Sequence, residues 1–332
     1  MYSIQQMLPA IGEKPLLALP GIKMGCIFRA EKYRADGAIT YKGHWFSNTV
    51  LNVGLDGLAG RRTVVPSGGS SSMLDYINVG TGTSEPAITD TGLNSFLAAT
   101  NGAYGGLSED SSVGDVGEGL PSWRSWQRTM AFSIGSCTGN LTELGMSNGS
   151  NSAYYNRQLF RDEYGDPTVI TVLSDEGLRV TVRSVLYGPL PVGGAVAGNI
   201  NIDGFTVGYT ATLLGNWLSG TICPGYLGRS AASTSLSNTY DARVSEIGGG
   251  LVTPNSRSIP SYGSGDFYRD VTLKWAPGAF VGNLGRIRTY FKNASSPTNV
   301  GPPVFDVVLD ATQAVSDAQE LSVSFRRSWG RV

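Results

Sequence analysis

One histidine, three cysteines and three adjacent acid pairs are the residues of this chain with the types that chemistry commonly uses. His44 stands beside Trp45 with no second histidine to complete a metal pair. Ser-His-Asp chemistry, or a pairing with Cys26, requires the fold to bring distant partners together. Glu109-Asp110, Asp162-Glu163 and Asp175-Glu176 are carboxylate pairs of the kind that could hydrolyse a glycan. Adjacent acids on turns are more simply solvated. No calcium loop of the alternating Asp/Asn type is present. Cys26, Cys137 and Cys223 are odd in number and widely spaced, with no Cys-x-x-Cys or Cys/His spacing for zinc. They read as small buried thiols, which suits assembly in a cytosolic compartment. Gly80-Thr-Gly-Thr83 and Gly248-Gly-Gly250 lack the strand-to-helix glycine fingerprint and the lysine of a phosphate loop. The expectation is a protein with no catalytic residue, no cofactor and no metal.

Binding surfaces have better candidates. The segment Trp123-Arg-Ser-Trp-Gln-Arg128 combines the residue types enriched at protein interfaces, with Trp123, Arg124 and Trp126 as intersubunit contacts. Tryptophans three apart in a strand could equally close a core. Trp329 follows two arginines near the end of the chain, with little sequence left to cover it, and is a further expected contact. Tyr226, Tyr240 and Tyr262 lie in a Ser/Thr/Gly-rich excursion over 225–265 and are the aromatic supply for a receptor-contacting loop. Three N-glycosylation sequons, at Asn140, Asn148 and Asn293, receive no role.

The elements that position these residues are short strands. Glycine, at 45 residues, is abundant without a triplet period, and charged residues are only 15 %. Alternating apolar runs separated by Gly, Asn and Asp predict many strands and little helix. The formal net charge of −1 argues against a protein that neutralises a nucleic-acid backbone. No apolar run is long enough to cross a bilayer as a helix. Residues 1–25 read as an arm punctuated by Pro and Gly. A hairpin over 26–42 turns at Asp36-Gly37. Residues 45–58 are the best helix of the first half, and 84–122 is a long polar excursion. Gly177–Tyr187 alternates most clearly, with Leu178, Val180 and Val182 on one face. A Pro/Gly linker at 188–194 precedes a second hairpin at Asp203-Gly204 and strands at 267–276, 284–291, 304–310 and 320–326.

Part of the first half recurs 143 positions later. Thr129, Met130 and Phe132 match Thr272, Leu273 and Trp275, and Gly139-Asn-Leu141 matches Gly282-Asn-Leu284. Leu178, Val180, Val182 and Arg183 match Leu321, Val323, Phe325 and Arg326. Such a period is too long for a solenoid and predicts two similar β-units in tandem. The expected fold is all-β: an arm at 1–25, then two antiparallel β-sandwich domains of jelly-roll or immunoglobulin-like type, 26–190 and 195–332, with long polar loops.

The block Leu141-Thr-Glu-Leu-Gly-Met-Ser147, Leu159-Phe-Arg-Asp162, Asp166-Pro-Thr-Val-Ile-Thr-Val-Leu-Ser-Asp-Glu-Gly-Leu-Arg-Val-Thr-Val182 and Leu186-Tyr-Gly-Pro189 resembles a phrase in structural proteins of tailed bacteriophages. These are described as tail-fibre, tail-appendage or other virion components. Asn199–Gly204 is similar to the strand-turn that follows, and the likeness spans about 28–210. The short arginine element near Leu159 is replaced here by Arg157-Gln-Leu-Phe-Arg161. The resemblance implies a virion protein of the tail, made in the host bacterial cytoplasm and serving assembly and host attachment. Its implied partners are copies of itself, as a trimer or a six- or twelve-fold ring, other virion proteins, and a host surface glycan or protein. Neck or collar, baseplate and head-decoration roles stay open, as does a glycan-binding or glycan-degrading tail protein.

Overall fold

The clearest alternation in the sequence becomes the central strand of the largest sheet. In a computed structural model, which describes residues 16–18, 21–60, 74–112, 114–115, 117–118, 120–188, 190–202, 205–214, 241–258, 263–292 and 300–332, strand β15 covers Glu176–Tyr187. Leu178, Val180, Val182 and Leu186 point into the core while Arg179 and Arg183 face outward, because side chains alternate across a strand. The described residues form strands throughout, with one helix, α1, Asn52–Gly60.

Strand β15 pairs antiparallel with β2 (Ile22–Arg34) on one side and β9 (Trp123–Phe132) on the other. Beyond β9 lies β8 (Ser108–Ser112). On its far side β2 carries β23 (Leu321–Arg331), followed by β20 (Tyr268–Trp275) and β19 (Ser256–Ser258). The result is a ten-stranded sheet that also takes in β1 (Leu16–Ala18), β3 (Ile39–Lys42) and β4 (Phe46–Ser47). A six-stranded sheet holds β5 (Thr49–Val50), β6 (Tyr76–Gly80), β7 (Phe96–Thr100), β11 (Glu143–Gly149), β12 (Ser152–Tyr154) and β13 (Asn156–Leu159). A five-stranded sheet runs β16 (Ala195–Ile202), β17 (Phe205–Leu213), β22 (Val300–Val315), β21 (Gly282–Lys292) and β18 (Asp241–Ser245). Strands β10 (Gly139–Leu141) and β14 (Ile170–Val172) form a separate pair. Phe28 and Phe160 each meet Phe46, at ring separations of 5.9 and 6.1 Å, tying the large sheet to the six-stranded one.

The 143-residue register is reproduced in the hydrogen-bonded ladders. Phe132 pairs with Leu178, Met130 with Val180 and Thr129 with Thr181. At the same offset Trp275 pairs with Leu321, Leu273 with Val323 and Thr272 with Ser324. The hydroxyls of Thr129 and Thr181 bond at 2.8 Å, and those of Thr272 and Ser324 at 2.7 Å. Gly139, Asn140 and Leu141 face Val172, Thr171 and Ile170, as Gly282, Asn283 and Leu284 face Val315, Ala314 and Gln313. Turns agree too: the Leu173 amide donates to the Glu176 carboxylate at 3.0 Å, and that of Ser316 to the Gln319 side chain at 2.9 Å. Leu178, Val180 and Val182 are buried, as are Leu321, Val323 and Phe325, so the two trios occupy equivalent inward positions.

Several expectations need correction. Chain segment 1–25 is not wholly an arm: β1 and the start of β2 lie in the large sheet, parallel to β23, with Leu16 facing Ser324 and Ile22 facing Trp329. The large sheet therefore continues across the boundary expected near Pro191. The helix expected over 45–58 is confined to α1 and its last turn. Phe46-Ser47 and Thr49-Val50 are strands, as the β-branched residues favour. The polar excursion over 84–122 contains β7 and β8. The 26–42 hairpin forms as expected, with Gly37 at φ 85° in its turn.

Candidate functional site

Trp126 and Trp329 are interior residues. Trp126 is 2 % exposed and its Nε1 donates to Glu109 Oε2 at 3.1 Å. The Arg124 guanidinium contacts the same carboxylate and lies 5.3 Å from the Trp126 ring centre. Trp329 is 5 % exposed and donates to the Leu55 carbonyl of α1 at 3.0 Å. The expected intersubunit role therefore fails at these two tryptophans. Trp329 has its cover, supplied by the far end of the chain through β2 and by α1. Trp123 ends β9, half-buried opposite Tyr187. Tyr226, Tyr240 and Tyr262 lie outside the described residues, as does Cys223.

The candidate catalytic groups are dispersed and engaged. His44 Nε2 is 3.5 Å from Glu163 Oε2, with both side chains open to solvent. Asp162 accepts from the Tyr164 and Asp166 amides, each at 2.9 Å, and so closes its own turn. Asp175 is 3.5 Å from Arg34 across an exposed edge. Glu176 is buried. The Thr40 hydroxyl at 2.7 Å, the Leu173 amide and Lys32 Nζ at 2.9 Å together hold its carboxyl down to about 2. Burial pushes the thiols of Cys26 and Cys137 up to about 12, so neither is a thiolate near neutrality. Among the described residues no group of three His, Cys, Asp or Glu could hold a metal, and no helix is long and apolar enough to cross a membrane.

A buried ion pair escaped the sequence reading. Glu143 and Arg157 face one another from β11 and β13, both buried, with Arg157 Nε 2.8 Å from Glu143 Oε2. Glu143 Oε1 accepts from the amides of Gly82 (3.0 Å) and Ser95 (2.7 Å), and Oε2 also accepts from Asn94 (3.1 Å). Arg157 reaches Asp90 at 2.6 Å and the Ser84 carbonyl at 2.8 Å. Four donors occupy this carboxylate. Its work is to pin the loop between β6 and β7. That loop and the β11–β12 turn border an open polar cleft of about 500 Å³ with Asp90, Asn94, Asn151 and Tyr154 on its walls.

The outward face of the large sheet concentrates arginine and aromatic residues. Arg179 lies between two rings, 4.1 Å from the centre of Tyr33 and 3.8 Å from that of Tyr104. Trp45 covers both Arg29, at 4.9 Å, and Arg183, at 5.4 Å. Arg29 and Lys42 share Glu31, at 3.6 and 3.5 Å. Among the described residues Arg183 donates to the neutral Gln127, at 2.8 Å from Nη2 and 3.2 Å from Nε. Among the described residues no oxygen accepts from the Arg179 guanidinium, whose Nε is buried without a partner.

No family model matches the chain, and no curated protein and no solved structure matches it. The geometry therefore carries the functional reading. Glu143 and Glu176 are taken up by structural contacts, whereas among the described residues the Arg179 guanidinium has no acceptor.

Proposed function

We propose that the protein is a non-enzymatic structural component of a tailed-bacteriophage particle. In this reading it is tail-associated, as a fibre or its particle-proximal part, and serves assembly and host attachment. The supporting observation is where the virion-like phrase falls. Glu143 pins the β6–β7 loop, and Gly145 packs where a Cβ would meet the Asn156 carbonyl. Arg161 braces its turn through the Gly165 carbonyl and Glu85, and Glu176 locks the turn before β15. Glu143, Arg161 and Glu176 of the phrase are spent on architecture, as a scaffold requires.

The reading takes the two repeats as tandem jelly-roll or immunoglobulin-like sandwiches, 26–190 and 195–332. Assembly is with copies of itself, as a trimer or a closed ring, because repeated virion parts assemble by symmetry. Cryo-EM of particles from the host that makes this chain is the test. Density for the chain on the tail supports the assignment. Density on the capsid shell, or absence of the chain from purified particles, refutes it.

A further inference from the structure

We propose that the outward face of the large sheet around Arg179 and Arg183 binds a carboxylated polysaccharide. Both arginines project from β15 on the same side, two pleats and so about 13 Å apart. Arg183 is exposed and Arg179 is partly so. A guanidinium presents its donors in a planar fork that matches a carboxylate, and such pairs are charge-assisted and directional. Among the described residues neither guanidinium bonds a carboxylate: Glu31, which stands opposite Arg179 on β2, is engaged by Arg29 and Lys42. Arg179 is held by Tyr33 and Tyr104, which fixes its orientation; among the described residues its guanidinium has no acceptor, and since Nε is buried its Nη groups are the ones an anion can meet. Holding a cation in place without an acceptor leaves a hydrogen-bonding demand that an incoming anion satisfies.

The rings select the rest of the ligand. Trp45 is 36 % and Tyr104 49 % exposed, although each has a face on an arginine. Their free faces are apolar plates with a negative quadrupole, suited to the C–H face of a pyranose. Carboxylates at intervals between stacked sugar rings therefore match cations at intervals beneath aromatic plates. An acidic peptide would satisfy the arginines but offers no pyranose face to the rings. The inference gives the attachment half of the proposed function a surface and a ligand class. It rests on that reading only for the biological source of the glycan.

Titration calorimetry of the full chain with polygalacturonate, dextran and poly-L-glutamate tests it. Polygalacturonate should bind at least about tenfold more tightly than either control. Arg183→Gln and Trp45→Ala should each weaken it by roughly tenfold, as expected for a charged hydrogen bond and a stacking plate. Arg179→Lys, which keeps the charge but loses the planar fork, should weaken it as well. Lys274→Gln removes an equal charge elsewhere on the surface and should leave binding unchanged, with melting curves reporting that every variant is folded. Binding of dextran or poly-L-glutamate as tight as polygalacturonate would overturn the proposal. So would no binding of polygalacturonate, or equal weakening by Lys274→Gln. None of these results bears on whether the chain lies in a virion, which the particle density decides.

Discussion

Gly139 and Gly282, 143 positions apart, hold φ angles of 140° and 138° at the first residue of equivalent strands. An L side chain rarely tolerates this region, so both are required to be glycine by the backbone alone. Their surroundings differ. A Cβ at Gly139 would meet only Leu97 at 3.9 Å, whereas one at Gly282 would strike Glu246, which accepts from the Asn283 amide at 2.9 Å. Gly139→Ala should cost about 1–3 kcal/mol, the ordinary strain of such a conformation. Gly282→Ala should cost more, because Glu246 must also move. Denaturant unfolding of the two variants measures the difference, and equal losses would mean that the Glu246 contact contributes nothing.

Removing the Glu143 carboxylate should be severe. Glu143→Gln leaves the Arg157 charge buried with one fewer counter-ion and turns an amide N–H₂ toward backbone donors. Breaking a buried pair from one side costs about 3–5 kcal/mol. Hydrogen exchange locates the effect: the amides of Gly82, Asn94 and Ser95 should lose protection while those of β15 exchange as before. Unchanged protection at the three amides would show that the loop is held by something else.

Acid should release Glu176. Its carboxyl lies near 2 rather than its ordinary 4.5, below the unfolded value, so its contribution is fully present above about pH 4.5. That contribution is lost as pH falls toward and through 2. Chemical unfolding midpoints of the native chain should therefore drop across this window. Glu176→Gln should lower stability at pH 7 and flatten the drop; a variant with the same acid profile as the native chain would argue against the assignment.

Thiol labelling should distinguish the folded from the unfolded chain. Cys26 and Cys137 are buried with thiols pushed up to about 12, so a maleimide at pH 7 should leave both unmodified. Both should react in denaturant. Mass spectrometry of the labelled peptides gives the answer for each site separately.

What the sequence disclosed depended on how far its physical cause reached along the chain. Alternation at Gly177–Tyr187 is local, and the repeated spacing of Leu178 and Leu321 is a comparison of two local patterns, so both were legible. Trp329 was misread because its cover is Ile22–Met24, 307 positions from the residue that Ile22 faces. Glu143 gave no sign of its role. Besides Arg157, its partners are backbone amides about 50 to 60 residues upstream, and an amide has no residue type to notice. Arg179 was legible as an outward residue of β15, but not as a clamped one, since Tyr33 and Tyr104 arrive from separate segments. The tyrosines expected to contact a receptor lie outside the described residues.

The parallel seating of Ile22–Met24 against Trp329–Arg331 has a consequence for the birth of the molecule. During synthesis the outer edge of β2 at these residues waits, with unpaired N–H and C=O groups, until a strand made some 300 residues later leaves the ribosome. Contacts so distant in sequence close slowly. The aggregation hazard of this protein is therefore concentrated in the unfinished polypeptide. At this edge it ends in the folded one, where the late strand takes up the waiting groups and brings Trp329 with it.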